Sequence, residues 1–307
     1  MRHKIVGLGE ILWDVFPERK VLGGAPANFA YHISQFGFDG CAVSAIGNDP
    51  LGTEILDSLA QRQLNHLIEK TDFPTGTVKV SIDNWGVPCY EICEDAAWDN
   101  IPFTPAIAEI AKETQVVCFG SLAQRHEVSR ATIHAFLDAM PKDSLKIFDI
   151  NLRLHYYTKE VIERSLERAD ILKINDEEVV KIAQLLGWNL SEKEVCKRLL
   201  SMYNLDILIL TKGTEGSWVL TPKEESFLAT PKISIADTVG AGDSFTAAFI
   251  ASHLHGRCLS ASHQLAVEGS AAPRSPARIA TTAESAYVCQ QHGAMPRLAD
   301  AHLELFK

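Results

Sequence analysis

Short apolar runs alternate with longer amphipathic stretches along most of this chain, and that alternation leaves few architectures open. Core strands are expected at Lys4–Leu8, Cys41–Ile46, Val116–Phe119, Lys146–Asp149, Ile171–Ile174 and Asp206–Leu210. Between them, helices are expected over Pro26–Phe36, Thr53–Gln63, Arg130–Met140, Lys159–Arg168, Glu177–Leu186 and Glu192–Tyr203. Asp49-Pro50-Leu51-Gly52-Thr53 supplies turn and capping residues for the second of these. Strand–helix alternation of this kind builds a parallel sheet covered by helices. One stretch differs. Gly76–Glu94 holds two alternating runs around a polar, glycine-containing turn, the pattern of a β-hairpin with one wet face. Such a hairpin can act as a lid or as a dimer surface.

The 307 residues suffice for one large α/β domain or two smaller ones. A formal charge of −10 repels polyphosphate backbones, and Lys and Arg are scattered, so a general nucleic-acid-binding role is not expected. There is no run of 18 apolar residues for a membrane span, and Met1-Arg2-His3-Lys4 leads directly into a core strand rather than a secretory signal. The seven cysteines (41, 89, 93, 118, 196, 258 and 289) form no Cys-x-x-Cys pair. Free thiols in a reducing compartment are the simple reading, which points to the cytoplasm.

Chemistry concentrates in Asp237-Thr238-Val239-Gly240-Ala241-Gly242-Asp243-Ser244-Phe245-Thr246-Ala247-Ala248-Phe249-Ile250. Small residues at 240–242 precede an apolar, helix-like stretch, so several backbone N–H groups can converge at a helix N-terminus where the dipole adds positive potential. That suits the crowded negative charge of a transferring phosphoryl group. A carboxylate beside it, Asp243, can take a proton from an attacking hydroxyl. The plain alternative is a glycine-rich turn whose Asp merely favours a helix start.

Taken with Gly23-Gly24-Ala25-Pro26-Ala27-Asn28-Phe29-Ala30, this segment resembles the paired motifs of the PfkB, or ribokinase-like, carbohydrate kinases. Every fixed position of the Asp-Thr-x-Gly-Ala-Gly-Asp-x-Phe pattern is present from Asp237 to Phe245. The resemblance continues through Gly7-Leu8-Gly9-Glu10 with Asp14, Ile46-Gly47-Asn48-Asp49-x-x-Gly52, Asp149-x-Asn151-x-Arg153, Asn175-x-x-Glu178 and Thr211-Lys212-Gly213-x-x-Gly216. Leu22–Asn28, Ala97-Trp98-Asp99 and Phe148–Tyr157 look particularly like bacterial fructokinases.

The resemblance implies a three-layer α/β/α sandwich with a mainly parallel sheet. It also implies a single kinase domain over 1–307 carrying a β lid from about 10–22 and 74–98; a homodimer through that lid is a further expectation from the hairpin. Asp243 would be the base beside an anion site at Gly240, Ala241 and Gly242. Asp14, Gly24, Asn28 and Arg153 would bind the sugar or, for Arg153, the phosphates. Asn175, Thr211, Gly213 and Gly216 would line ATP, and Glu178 would support Mg²⁺ through water. Asp237 and Val239 would flank a K⁺ position. Read blandly, Asn28 is a backbone-bonding amide, Arg153 a surface charge, Asn175 and Glu178 a helix-start pair, and 211–216 a strand-ending turn. The activity implied is transfer of the γ-phosphoryl of ATP to fructose, giving fructose 6-phosphate. Alternatives are another acceptor (2-keto-3-deoxygluconate, ribose or a nucleoside) or a non-catalytic sugar- or nucleotide-binding regulator on the same fold.

Three features fall outside this pattern. His253, His255 and His263 lack zinc-hydrolase spacing and are expected to be solvated helix residues. Gly7-x-Gly9 lacks the third glycine of a dinucleotide site. Gly269–Glu284, rich in small residues with Pro273 and Pro276, interrupts what is a single helix in relatives. Proline inside a helix costs on the order of 3 kcal/mol, so this segment is expected to loop out or break the helix.

Overall fold

Consecutive apolar strand residues point to opposite faces, so the runs above need cover on both sides. The computed structural model, which describes residues 3–82, 88–231, 239–267 and 293–298 with 288, 303 and 306, supplies that cover. Its strands are β1 (Lys4–Leu8), β2 (Leu12–Val15), β3 (Lys20–Gly23), β4 (Asp39–Gly47), β5 (Asn65–Thr71), β6 (Thr77–Ile82), β7 (Pro88–Ile92), β8 (Val116–Gly120), β9 (Leu145–Asp149), β10 (Ile171–Asn175), β11 (Ile207–Thr211), β12 (Ser217–Leu220) and β13 (Glu225–Leu228). Its helices are α1 (Ala25–Gln35), α2 (Pro50–Gln61), α3 (Pro105–Glu113), α4 (Glu127–Ala139), α5 (Lys159–Leu166), α6 (Asp176–Leu185), α7 (Glu192–Met202), α8 (Ala241–Leu254) and α9 (Leu259–Val267). Every strand and helix expected between Lys4 and Tyr203, and the strand at 206–210, appears with its ends within three residues.

Nine strands form one sheet in the order β13-β12-β11-β10-β9-β8-β1-β4-β5. Neighbours from β11 to β5 run parallel, while β12 and β13 turn back antiparallel. The period of two then sorts side chains by layer. Leu172, Leu208 and Leu210 pack with Ile133, Phe136, Ile162, Val179, Ile182 and Leu199 from α4 to α7. Their strand neighbours Ile171, Ile207 and Ile209 pack on the other face with Phe29, Ile33, Phe245, Phe249 and Ala266 from α1, α8 and α9. The result is an α/β/α sandwich with the sheet buried between helices.

The Gly76–Glu94 hairpin is present as antiparallel β6 and β7, and it joins a second, four-stranded sheet of order β3-β2-β6-β7. Two polar clusters fasten this small sheet to the body. Asp49 caps α2 by accepting from the Gly52 N–H at 2.8 Å, and it also accepts from the Thr75 N–H at 2.8 Å and the Thr75 hydroxyl at 2.7 Å, just ahead of β6. Beyond β7, the Arg125 guanidinium donates twice to Asp99, both bonds 2.7 Å, and once to the Cys93 carbonyl at 2.7 Å. The same guanidinium lies between the rings of Trp98 and Tyr156, 4.2 and 4.4 Å from their centroids. Planar, bidentate pairing of this sort is something lysine could not reproduce.

The histidine expectation needs correcting. His263 is fully buried, with one ring nitrogen 2.8 Å from the Ser217 hydroxyl and the other 2.8 Å from that of Ser226. It therefore joins α9 to β12 and β13 instead of facing water. His253 is half-buried, with its ring stacked on Phe249, and only His255 is exposed. The interrupted segment Gly269–Glu284 lies outside the described residues, as does Asp237. Among the described residues, no helix is long and apolar enough to cross a membrane.

Burial pushes the His263 imidazole down to about 4. The unfolded chain takes up a proton near pH 6.5 that the native state refuses until about pH 4, so acidification through that window favours unfolding. Stability should fall by up to about 1.4 kcal/mol per pH unit on this account. Urea denaturation from pH 7 to 4.5 checks it: His263→Gln should be less stable at neutral pH yet show a shallower loss on acidification.

Candidate active site

Strand β1 lies between β4 and β8, so the chain leaves it towards one side of the sheet and later resumes on the other. Open α/β sheets bind ligands at such a reversal, outside the carboxyl ends of the strands. Gly120, Asp149, Asn175 and Thr211 end β8, β9, β10 and β11 on that edge, and Glu10 follows β1 there. A water-sized cavity lined by Ala25, Pro26, Cys118, Phe119, Gly120 and Asp149 marks the gap. Ala25 and Pro26 bring the N-terminus of α1 onto it.

Helix α8 begins as it does because of two glycines. Gly240 is its N-cap, in the left-handed region at φ 78°. A Cβ there would come within 2.8 Å of the Ala294 backbone, so only glycine lets the 293–298 segment lie so close. A Cβ on Gly242 would come within 2.9 Å of the Lys173 ammonium nitrogen. The first-turn amides of 241–243 have no acceptor inside the helix, and the helix dipole points the same way. Together they form a site for an anion.

Asp243 stands in that first turn, and the Asn28 amide donates to its carboxylate at 2.7 Å. The two predicted motifs, 215 residues apart, therefore meet side chain to side chain. Burial pushes the Asp243 carboxyl above the usual range and the Asp149 charge adds to this; the Asn28 bond, Lys173 and Arg153 oppose it. Glu10 is buried, and among the described residues one of its carboxylate oxygens has no partner. Burial pushes it up to about 7 against a hydrogen bond from its own amide, with Asp243 adding to the rise and Arg153 and the Ala25 amide opposing it.

Behind the turn, Lys173 and Asp149 form an ion pair of 3.1 Å with both side chains less than a tenth exposed. Burial disfavours the Lys173 charge, yet Asp149, Glu178 and Asp243 outweigh it and raise the group above its ordinary value. Glu178 is committed locally: one carboxylate oxygen accepts from the Leu152 N–H at 2.9 Å and the other from the Asn175 N–H at 2.8 Å. The Asn175 side chain returns a bond to the Glu178 N–H at 2.8 Å, completing a capping box at the start of α6. The helix-start reading of this pair is thus realised. Among the described residues no cluster of three acidic, His or Cys groups could cage a metal, so an ion here would rely on water and ligand oxygens, as Mg²⁺ does.

The other predicted residues are spread around this centre. Gly24 caps α1 and Asn28 follows it one turn later. Asp14 sits on β2 in the small sheet, next to Gly23. Arg153 is exposed on the loop after β9, close enough for its charge to act on Asp243 and Glu10. Thr211 pairs with Asn175 across the strand ends, and Gly213 and Gly216 shape a turn closed by the Lys212 N–H bonding the Gly216 carbonyl at 2.8 Å. Val239 is exposed ahead of Gly240. Glu10, Asp149 and Lys173 had no assigned role in the sequence. A lysine inside the apolar run Ile171–Ile174 was the available signal.

A model of the pfkB family carbohydrate kinases matches residues 9–276. An uncharacterized sugar kinase of Pyrococcus horikoshii is 28% identical over 267 residues, 80% of this chain and 81% of that one. Its crystal structure superposes with a TM-score of 0.80 over 99% of both chains at 24% identity. A fructokinase of Klebsiella pneumoniae is 30% identical over 268 residues, 82% of this chain and 84% of the relative. The structure of Vibrio cholerae O395 fructokinase with fructose, ADP and calcium has a TM-score of 0.76 and 22% identity, covering 100% of this chain and 99% of that one.

The tight start of α8 is open to test. Gly240→Ala must place a Cβ at left-handed φ and against Ala294. The backbone alone should cost about 1–2 kcal/mol, read as a lowered urea midpoint. The 293–298 segment should be displaced as well, which amide hydrogen exchange at Ala294, Met295, Arg297 and Leu298 would register as faster exchange.

Proposed function

The chain belongs to the pfkB family of carbohydrate kinases, and we propose that within it this protein is a fructokinase. The observation that carries the reading is the Asn28–Asp243 hydrogen bond, which holds a half-buried carboxylate at the N-terminus of α8 beside an amide that would bind hydroxyls. In the proposed reaction a sugar lies between Asp14, Gly24, Asn28 and Arg153 under the small sheet acting as a lid. ATP lies over Asn175, Thr211, Gly213 and Gly216 with its γ-phosphoryl at the amides of Gly240, Ala241 and Gly242. The terminal hydroxyl of the sugar attacks phosphorus as Asp243 accepts its proton, the bond to ADP breaks, and fructose 6-phosphate forms. The first-turn amides take up charge developing on the transferring oxygens, and the lid excludes water that would otherwise hydrolyse ATP.

Mg²⁺ held through water by Glu178 and by the phosphates would neutralise charge on the nucleotide. A monovalent cation beside Val239 and Asp237 is part of the same reading. Fructose is favoured over ribose, a nucleoside or 2-keto-3-deoxygluconate by the fructokinases among the relatives. The lid is proposed as the face of a homodimer in the cytoplasm.

ATP-dependent phosphorylation across those four acceptors, with Mg²⁺ and with or without K⁺, tests the substrate: turnover should be greatest on fructose. Asp243→Asn should lower kcat by about 10²–10⁴-fold, the range for losing a general base. A folded variant with unchanged turnover removes the base, and a wild-type sample inactive on every sugar favours the non-catalytic regulator. Sedimentation that finds only monomer at micromolar concentration sinks the lid dimer.

A further inference from the structure

A lysine in the middle of a sheet is an expense that needs a reason. Lys173 is 7% exposed on β10, between Leu172 and Ile174, which are fully buried. Its ammonium meets Asp149, 4% exposed, at 3.1 Å. Replacing such a pair with apolar residues is often neutral or stabilising, so the pair is weak evidence for a contribution to stability. What distinguishes this one is where it points. The ammonium lies against Gly242, so near that a single added methyl would reach 2.9 Å, and no side chain separates it from the first turn of α8. Asp243 is the next residue along that turn.

We propose that Lys173, through its ion pair with Asp149, is a positioning residue that sets the charge field on Asp243 from behind the anion turn. Lys173 favours the ionised carboxylate, Asp149 opposes it, and the bond between them fixes where both charges stand. Among the described residues, the groups acting on Asp243 come from several elements: Asn28 from α1, Glu10 beyond β1, Cys118 from β8, Asp149 from β9, Arg153 from the following loop and Lys173 from β10. Among these charges, Lys173 is the buried cation and Arg153 is exposed. A buried ammonium is shielded from salt in a way that an exposed guanidinium is not. This inference rests on Asp243 being the base.

Two charge variants separate an electrostatic role from a structural one. In protein labelled with ¹³C at the aspartate carboxyl carbon, the Asp243 signal is assigned by its loss in Asp243→Asn and then titrated. Lys173→Met removes a positive charge and should move the Asp243 titration, and the acid limb of kcat/KM, to higher pH. Asp149→Asn removes a negative charge, keeps an oxygen for Lys173 to bond, and should move both to lower pH. Opposite shifts are the expected result, since a packing defect has no reason to change sign with charge. A titration unmoved in either folded variant overturns the proposal, and if Lys173→Met does not fold, Asp149→Asn alone decides. Wild-type turnover in Asp243→Asn would remove the base reading by itself, while the carboxyl titrations would still judge the ion pair.

Discussion

Because β1 lies between β4 and β8, the chain leaves it on one side and resumes on the other, and this reversal opens a gap between their carboxyl ends. The rest of the site follows from that gap. Parallel strands bring their ends to one edge, so Gly120, Asp149, Asn175 and Thr211 stand in a row although they are far apart in sequence. Helices that start above such an edge point their positive ends into it. Here α1 and α8 both do so, and the small sheet is fastened beside them at Thr75 through Asp49 and at Asp99 through Arg125.

The cost of the arrangement is a set of ionisable groups removed from water. Asp149, Lys173, Glu178 and Glu10 are each less than a tenth exposed. Leaving any one unpaired would cost several kcal/mol. Most of that cost is offset locally, since Glu178 accepts two backbone N–H groups and Asp149 meets Lys173. Among the described residues, Glu10 and the uncharged Asn28 each keep one buried oxygen that finds no donor. Buried polar atoms are rarely left so. Their place beside Asp243 agrees with a hydroxyl-rich ligand completing the set.

The layered fold was legible in the sequence because parallel strands buried on both faces read as continuous apolar runs, and the hairpin because its alternation was different. Residues whose role depends on a distant partner were not legible in this way. His263 sits on a short helix with no distinctive pattern, and the hydroxyls that bury it come from antiparallel strands at the sheet edge, Ser217 and Ser226. Lys173 was visible as a charge in an apolar run, yet nothing local says that Asp149 and Gly242 surround it. The Asn175–Glu178 pair was read both as a metal support and as a helix start. Its hydrogen bonds show the second, and they leave lone pairs that water could still use.

The Asn28–Asp243 contact shows why motif order could not by itself specify the site. Its 2.7 Å length depends on how α1 packs against α8, through a core that includes Phe29, Ile33, Phe245, Ala248 and Phe249. Residues 244–252 of α8 are all buried, so the helix has no wet face and no amphipathic signature to betray its position. Alanines at 247, 248 and 251 keep it slim enough to be enclosed. Close-packed interiors deform little, so a hydrogen bond strung between two such helices is held at its length by the packing around it. The apolar packing of α1 and α8, more than the polar motifs themselves, is what fixes the carboxylate at the anion turn.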